Sequence, residues 1–292
     1  MSVDRLQKKI RKLKNPSCVY FSATESQVPD HILESNGNFC EAYGYYAREL
    51  LSGLKEIVPA VRFDFVTFAV LGGEGVQLLQ QLLAYAAEQE YYVILDAPEA
   101  RSALSSQAVA TQLLDPSGQW KFDGLVLSCY IGSDGVQPYI SGVKEQGRDL
   151  FLLLRSANKS AAELQDLMTG SRLVHLAAAD LAKRLGEPYL ERGGYSRIGG
   201  VGAATSADGL KTLRSKYPDM FLLIDGADYS GANAKYCSAA FDKLGHGALA
   251  CIGSSVLEAW RTENAEGATY IEQAVQAAER TKKNLLRYIT IL

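Results

Sequence analysis

Tyr92-Val93-Ile94-Leu95-Asp96 is the stretch from which the fold can be read. Four largely apolar residues follow one another and end on a carboxylate, with no polar residue between them. A strand with one wet face alternates apolar and polar side chains, so a run that is apolar on both faces belongs to a parallel sheet buried beneath helices. Phe221-Leu222-Leu223-Ile224-Asp225 repeats the pattern and again ends on Asp.

Moving outward, short apolar or β-branched runs recur, each followed by a helical stretch. The eight runs are Ser17–Phe21, Ala60–Phe68, Tyr92–Asp96, Gly124–Cys129, Leu150–Arg155, Arg197–Val201, Phe221–Asp225 and Ala248–Gly253. Between Gly73 and Gln89, the residues Val76, Leu79, Leu83 and Ala86 fall on one helical stripe, as do Tyr43, Tyr46, Leu50 and Leu54 between Phe39 and Ile57. Ser206 is placed to cap a helix that runs to about Lys216, with Pro218 just beyond its end. A last helix is expected from about Thr269 to Tyr288. Ile271, Ala274, Ala277 and Ala278 lie on one side of it, and Lys282, Lys283 and Arg287 lie near its C-terminus, where they suit the helix dipole. Asp115-Pro116-Ser117-Gly118 reads as a turn and Glu191 to Tyr195 as a loop. An open doubly wound sheet would fit the same alternation, but eight repeats favour a (β/α)₈ barrel, an α/β fold that makes residues 1–292 one domain.

Composition narrows the function. Of 292 residues, 47% are hydrophobic and 22% charged, ordinary globular values for a chain able to bury a large core. Thirty basic against thirty-three acidic residues give a net charge of −3, which removes the electrostatic footprint of a nucleic-acid binder. No apolar run approaches the roughly 18 residues of a membrane span. The charged start, Met1 to Ile10, has no signal-peptide core, so a cytoplasmic protein is expected. Five cysteines without a CxxC pair read as reduced thiols packed as small hydrophobes. The three histidines, His31, His175 and His246, do not pair at metal-ligand spacing.

In a barrel the chemistry stands at the C-terminal ends of the strands. That rule selects Ser22, Arg62, Asp64, Asp96, Ser128, Arg155, Asp225 and Asp228, with Arg101 just past the third run. The arginines could hold an anion, or they could pair with Asp64, Asp96 and Asp225 as a structural network. A cluster of Asp64, Asp96, Asp225 and Asp228 could hold a hard cation. The seventh and eighth runs end in the turns Asp225-Gly226-Ala227-Asp228-Tyr229-Ser230-Gly231-Ala232 and Gly253-Ser254-Ser255. Barrels often bind phosphate at this place, where glycines let backbone N–H groups approach an anion. Asp225 and Asp228 bring opposing charge to it. No GxSxG elbow is present.

The order and wording of these segments resemble orotidine 5′-phosphate decarboxylase in its longer bacterial form. The resemblance is carried by Cys18-Val19-Tyr20-Phe21, Val61-Arg62-Phe63-Asp64 through Leu71-Gly72, Leu95-Asp96-Ala97, Ser156-Ala157-Asn158, and Ile198-Gly199 through Ala203-Ala204-Thr205. The two Gly/Ser turns complete it. It implies a (β/α)₈ barrel, a homodimer with sites near the subunit interface, no metal or organic cofactor, and a decarboxylation belonging to pyrimidine biosynthesis. That chemistry uses an Asp-x-Lys-x-x-Asp run whose Lys protonates the carbon losing CO₂. Here the run is Asp96-Ala97-Pro98-Glu99-Ala100-Arg101. Asp96 matches, but Pro98 stands at the Lys position and Arg101 at the second Asp. Proline has no proton to give, and Arg stays protonated near neutral pH. The resemblance also implies Ser22 in place of an Asp, Arg62 in place of a Lys, Ser230 in place of a Gln, and Val256 in place of the phosphate-binding Arg. The substrate-binding candidates are then Arg62, Arg101, Ser128, Asn158, Gly226, Ser230, Gly231 and Ser254, with Asp96 the family-matched catalytic position.

The leading expectation is a decarboxylase-like barrel that does not decarboxylate orotidine 5′-phosphate. It would bind another ligand, such as a phosphorylated small molecule, or pair as a homodimer or with an active relative. One alternative is altered chemistry on a related phosphorylated metabolite, with Asp96 as base and Arg62, Arg101 and Asp225 around the ligand. Another is a true decarboxylase whose Lys comes from elsewhere, such as Lys121 or Lys159.

Overall fold

Eight parallel strands close into a barrel in a computed structural model that describes residues 2–229, 234–261 and 269–292. They are β1 Ser17–Phe21, β2 Ala60–Asp64, β3 Tyr92–Asp96, β4 Gly124–Ser128, β5 Asp149–Leu153, β6 Ser196–Ala203, β7 Met220–Asp225 and β8 Ala248–Ile252. Each strand pairs with its neighbours in sequence, and β1 closes the ring on β8 with Cys18 opposite Cys251. The expected (β/α)₈ barrel is therefore the observed fold, and the open doubly wound sheet is not. The two runs that are apolar on both faces explain why: Val93, Ile94 and Leu95, and Leu222, Leu223 and Ile224, are all fully buried between the barrel interior and the surrounding helices.

One strand is shorter than its sequence reads. Ala60–Phe68 is apolar almost throughout, but β2 stops at Asp64 and Phe65–Ala69 is helical. The Asp64 carboxylate accepts the Val66 N–H at 3.0 Å and caps that turn. Phe68 then packs edge-on against Tyr43, 5.5 Å between centroids, instead of extending the sheet.

The helical stripes face the barrel as their spacing requires. The helix Phe39–Leu54 buries Tyr43, Tyr46, Leu50 and Leu54, and Asn38 caps its start by accepting the Glu41 N–H. The helix Gly72–Glu88 buries Leu79, Leu83 and Ala86. Ser206 caps Ala207–Lys216, and Thr269 with Glu272 forms a capping box on Tyr270–Leu286. The charged N-terminal segment also forms a helix, Val3–Leu13, whose Val3, Leu6 and Ile10 are buried. Gln7 accepts the N–H of Gly247, just before β8, and Asp4 accepts that of Gly193, before β6. The segment thus covers the N-terminal end of the barrel. No helix among the described residues is long and apolar enough to cross a membrane.

At that same end, Tyr92 on β3 reaches across Gly124 on β4 to Asp149 on β5, donating its hydroxyl at 2.6 Å. Only glycine leaves room: a Cβ on Gly124 would stand 3.0 Å from the Tyr92 hydroxyl and 2.8 Å from the Phe151 ring. Burial pushes the Asp149 carboxyl up to about 8, against the opposing pull of the Tyr92 hydrogen bond and of Arg197.

Candidate functional site

Arg62, on β2, is the centre of the site. The strand's pairing directs it inward, where its guanidinium meets groups from four other strands. Nε donates to Asp96 Oδ1 at 2.5 Å and Nη2 to Asp96 Oδ2 at 2.9 Å, a two-point grip on the last residue of β3. Nη1 donates to Asp225, the last residue of β7, and lies 3.7 Å from the Cys251 sulfur on β8. The plane stacks on Tyr20 of β1, 4.6 Å from its centroid, and the Tyr20 hydroxyl donates to Asp96 Oδ2 at 2.9 Å.

These groups set one another's ionisation. Burial alone would lower the Arg62 pKa, but Asp225 and Asp96 more than offset it and hold the guanidinium charged well above its ordinary range. Burial raises the Asp96 carboxyl, with Arg62 pulling the other way. Burial and the Asp96 charge raise the Tyr20 phenol, so it acts as a neutral donor. A buried, permanently charged fork gripped by two carboxylates is the geometry in which an ion pair holds its shape best.

Above this floor lies a cavity of about 410 Å³ at the C-terminal mouth of the barrel. Tyr20, Ser22, Gln27, Asn158, Asp225, Gly226, Asp228, Cys251, Ser254 and Glu258 are among its lining residues. Gly226 turns the chain out of β7 at φ 68°, where an added Cβ would meet Ala157 at 2.8 Å. The turn is tied to β8 by the Ala227 N–H on the Cys251 carbonyl. It presents Asp228 to the next turn, where Oδ2 accepts the Gly253 N–H at 2.8 Å and the Ser255 N–H at 3.1 Å.

The structure brings some of the expected residues together and leaves others apart. Arg62, Asp96, Asp225, Asn158, Gly226 and Ser254 lie on the floor or wall of the mouth. Asn158 accepts the Ser156 hydroxyl and donates to Ser160. Arg101 lies exposed in the loop after β3, and Ser128 ends β4; neither lines the cavity. Arg155 does not face the mouth as an anion clamp, because Nε and Nη2 both grip Asp166 at 2.9 Å, and Asp166 also lies 3.2 Å from His175. Asp64 caps its helix and Asp228 is bound by backbone, so the four aspartates do not gather round a cation. Among the described residues no cluster of His, Cys, Asp or Glu is arranged to hold a metal ion. Val256 is fully buried, so it is Ser254 that faces the cavity. Ser230 and Gly231 lie outside the described residues.

Tyr20, Gln27, Cys251 and Glu258 are among the contributors that went unread in the sequence as site residues. Tyr20 and Cys251 could have been found by alternation: each lies two residues before a strand-end position of the mouth, Ser22 and Gly253, and so shares its face. Glu258, past the end of β8, carries no such signal.

No family model matches the chain. Among curated proteins it is 27% identical over 290 residues to orotidine 5′-phosphate decarboxylase of Clostridium kluyveri, covering 98% of each chain. It is 25% identical to the Rhodopirellula baltica enzyme of the same name, covering 98% of this chain and 95% of that one. Among solved structures it superposes on the orotidine 5′-monophosphate decarboxylase of Plasmodium berghei with a TM-score of 0.78, at 13% identity and 98% coverage of both chains. The OMP decarboxylase of Leishmania donovani gives 0.72 at 22% identity, covering 97% of this chain and 100% of that one.

Proposed function

We propose that this chain, a homologue of the orotidine 5′-phosphate decarboxylases, keeps their barrel as a single domain and does not carry out their reaction. The observation that carries the reading is the state of Asp96. Arg62 grips both its oxygens and the Tyr20 hydroxyl donates to one of them. The cation against it is thus a guanidinium, which does not release a proton near neutral pH. The residue two positions on, at the place of the family's proton-donating Lys, is Pro98. The two lysines considered as replacements do not help. Lys121 lines a surface groove with Gln77, Gln80 and Gln81, and Lys159 is exposed at the start of a short helix after β5. A proton donor must stand within about 3 Å of the carbon it serves, directly or through one water.

The second reading, altered acid–base chemistry on a phosphorylated metabolite, has less support. Arg62 is already neutralised by two carboxylates, and Arg101 is away from the cavity. The test is the decarboxylation itself, followed by ultraviolet absorbance with purified protein and orotidine 5′-phosphate. No turnover above the uncatalysed background is expected, and turnover at an ordinary enzymatic rate, on the order of 1 s⁻¹ or more, would overturn the reading.

Exposed apolar side chains support a dimer. Val66, Val70, Leu104, Ile131, Leu167 and Met168 are exposed on the segments that follow β2, β3, β4 and β5, along one side of the barrel's C-terminal end. Exposed apolar side chains gathered on one rim are a common mark of a protein–protein interface. We take this rim as the surface on which two copies meet.

A further inference from the structure

A barrel that binds a phosphorylated ligand commonly does so between the loops after its seventh and eighth strands, on free backbone N–H groups. Here, among the described residues, two of those groups are already in use. Asp228 Oδ2 accepts the N–H of Gly253 at 2.8 Å and that of Ser255 at 3.1 Å. The contact is built rather than incidental. The left-handed Gly226 makes the turn, and Ala227 fastens it to the strand on which the two amides begin. We propose that Asp228 is an internal stand-in for phosphate, an autoinhibitory anion that closes this end of the cavity to phosphorylated ligands.

Three features agree with that role. A carboxylate and a phosphate offer the same charge-assisted acceptance to paired N–H groups, so one displaces the other. The described residues lining the cavity include the carboxylates of Asp225, Asp228 and Glu258 and no Lys, Arg or His, so an incoming dianion meets only like charge at the wall. Arg62, the cation beneath, is held by Asp96 and Asp225 and has no free face to offer. What the mouth admits is therefore an unphosphorylated molecule. This inference rests on the mouth being the binding site. It can fail without the proposed loss of decarboxylation failing, because it predicts a binding event and not a rate.

The experiment is calorimetric titration with inorganic phosphate, and separately with ribose 5-phosphate, at fixed ionic strength. Three proteins are compared: the unmodified protein, Asp228→Ala, and Glu258→Gln, which removes a charge from the same cavity without freeing the amides. Asp228→Ala should gain at least tenfold in affinity for both probes over the unmodified protein, and Glu258→Gln should gain less than threefold. Equal gains in the two variants would make the effect one of net charge and overturn the proposal, as would no gain in Asp228→Ala. If Asp228→Ala does not fold, Asp228→Gly takes its place. It frees the same two amides and should gain in the same direction, and no gain there is again a refutation.

Discussion

Replacing Asp149 with Asn should remove most of one component of the protein's pH dependence. Asp149 is fully buried, with one oxygen held by the Tyr92 hydroxyl and the other, Oδ1, meeting no hydrogen-bond partner among the described residues. Burial pushes its pKa from 3.8 to about 8 in the folded protein. Between those values the folded chain holds a proton that the unfolded chain has released. Stability attributable to this group is therefore greatest at low pH and falls as pH rises, by about 1.4 kcal/mol for each pH unit inside the window. Across the whole window the loss approaches about 5 kcal/mol, a large share of the 5–15 kcal/mol that holds a typical domain folded. Asparagine keeps the shape and an oxygen for Tyr92 but has no proton to lose. Urea unfolding of both proteins at several pH values from 5 to 8.5 isolates the effect, because most other titrating groups cancel in the difference. The variant should gain on the unmodified protein by several kcal/mol as pH rises. A difference that stays flat over this range would show that Asp149 is already ionised in the fold, and the burial argument would be refuted.

Two further outcomes are expected. Arg62→Met should destabilise the protein by about 3–5 kcal/mol in urea unfolding, because it leaves Asp96 and Asp225 buried without their shared cation, and adding Asp96→Asn should recover part of the loss. Leu104→Arg, at the most exposed apolar position of the rim, should halve the mass seen by light scattering if two copies meet there; a dimer that survives it would place the contact elsewhere.

The fold was legible because its signal is written in every strand. Residues covered on both faces must be apolar throughout, and Val93-Ile94-Leu95 can hardly be anything else. The same signal overran at Ala60–Phe68, since apolar composition does not say where a strand stops; the capping carboxylate of Asp64 decides that. In the site, Arg62, Asp96 and Asp225 were readable because strand ends converge in any barrel. The partner of Arg155 was not, because Asp166 sits on an excursion after β5 that carries no periodic pattern. Arg101 shows the limit of position alone: it follows a strand end in sequence, yet the loop carries it away from the cavity.

The individual changes in the mouth are better understood together than one by one. An aspartate at the end of β3 that lacks a neighbouring ammonium group would be a buried charge without a counterion, which costs several kcal/mol. The longer, forked side chain at position 62 answers this, since one guanidinium spans both Asp96 and Asp225 and rests on Tyr20. That answer has a chemical consequence. Acid–base catalysis needs a group whose pKa lies near the working pH, whereas here the cation is fixed as charged and its two carboxylates are fixed as its partners. On the proposed reading, the grip that makes the floor stable also leaves it with a cation that does not give up its proton. On the role proposed for Asp228, the Gly253 and Ser255 amides are likewise satisfied from within. Restoring Lys at position 98 alone would therefore place a proton donor beside an Asp96 already bound on both oxygens, in a cavity where, among the described residues, the Gly253 and Ser255 amides are already taken by Asp228.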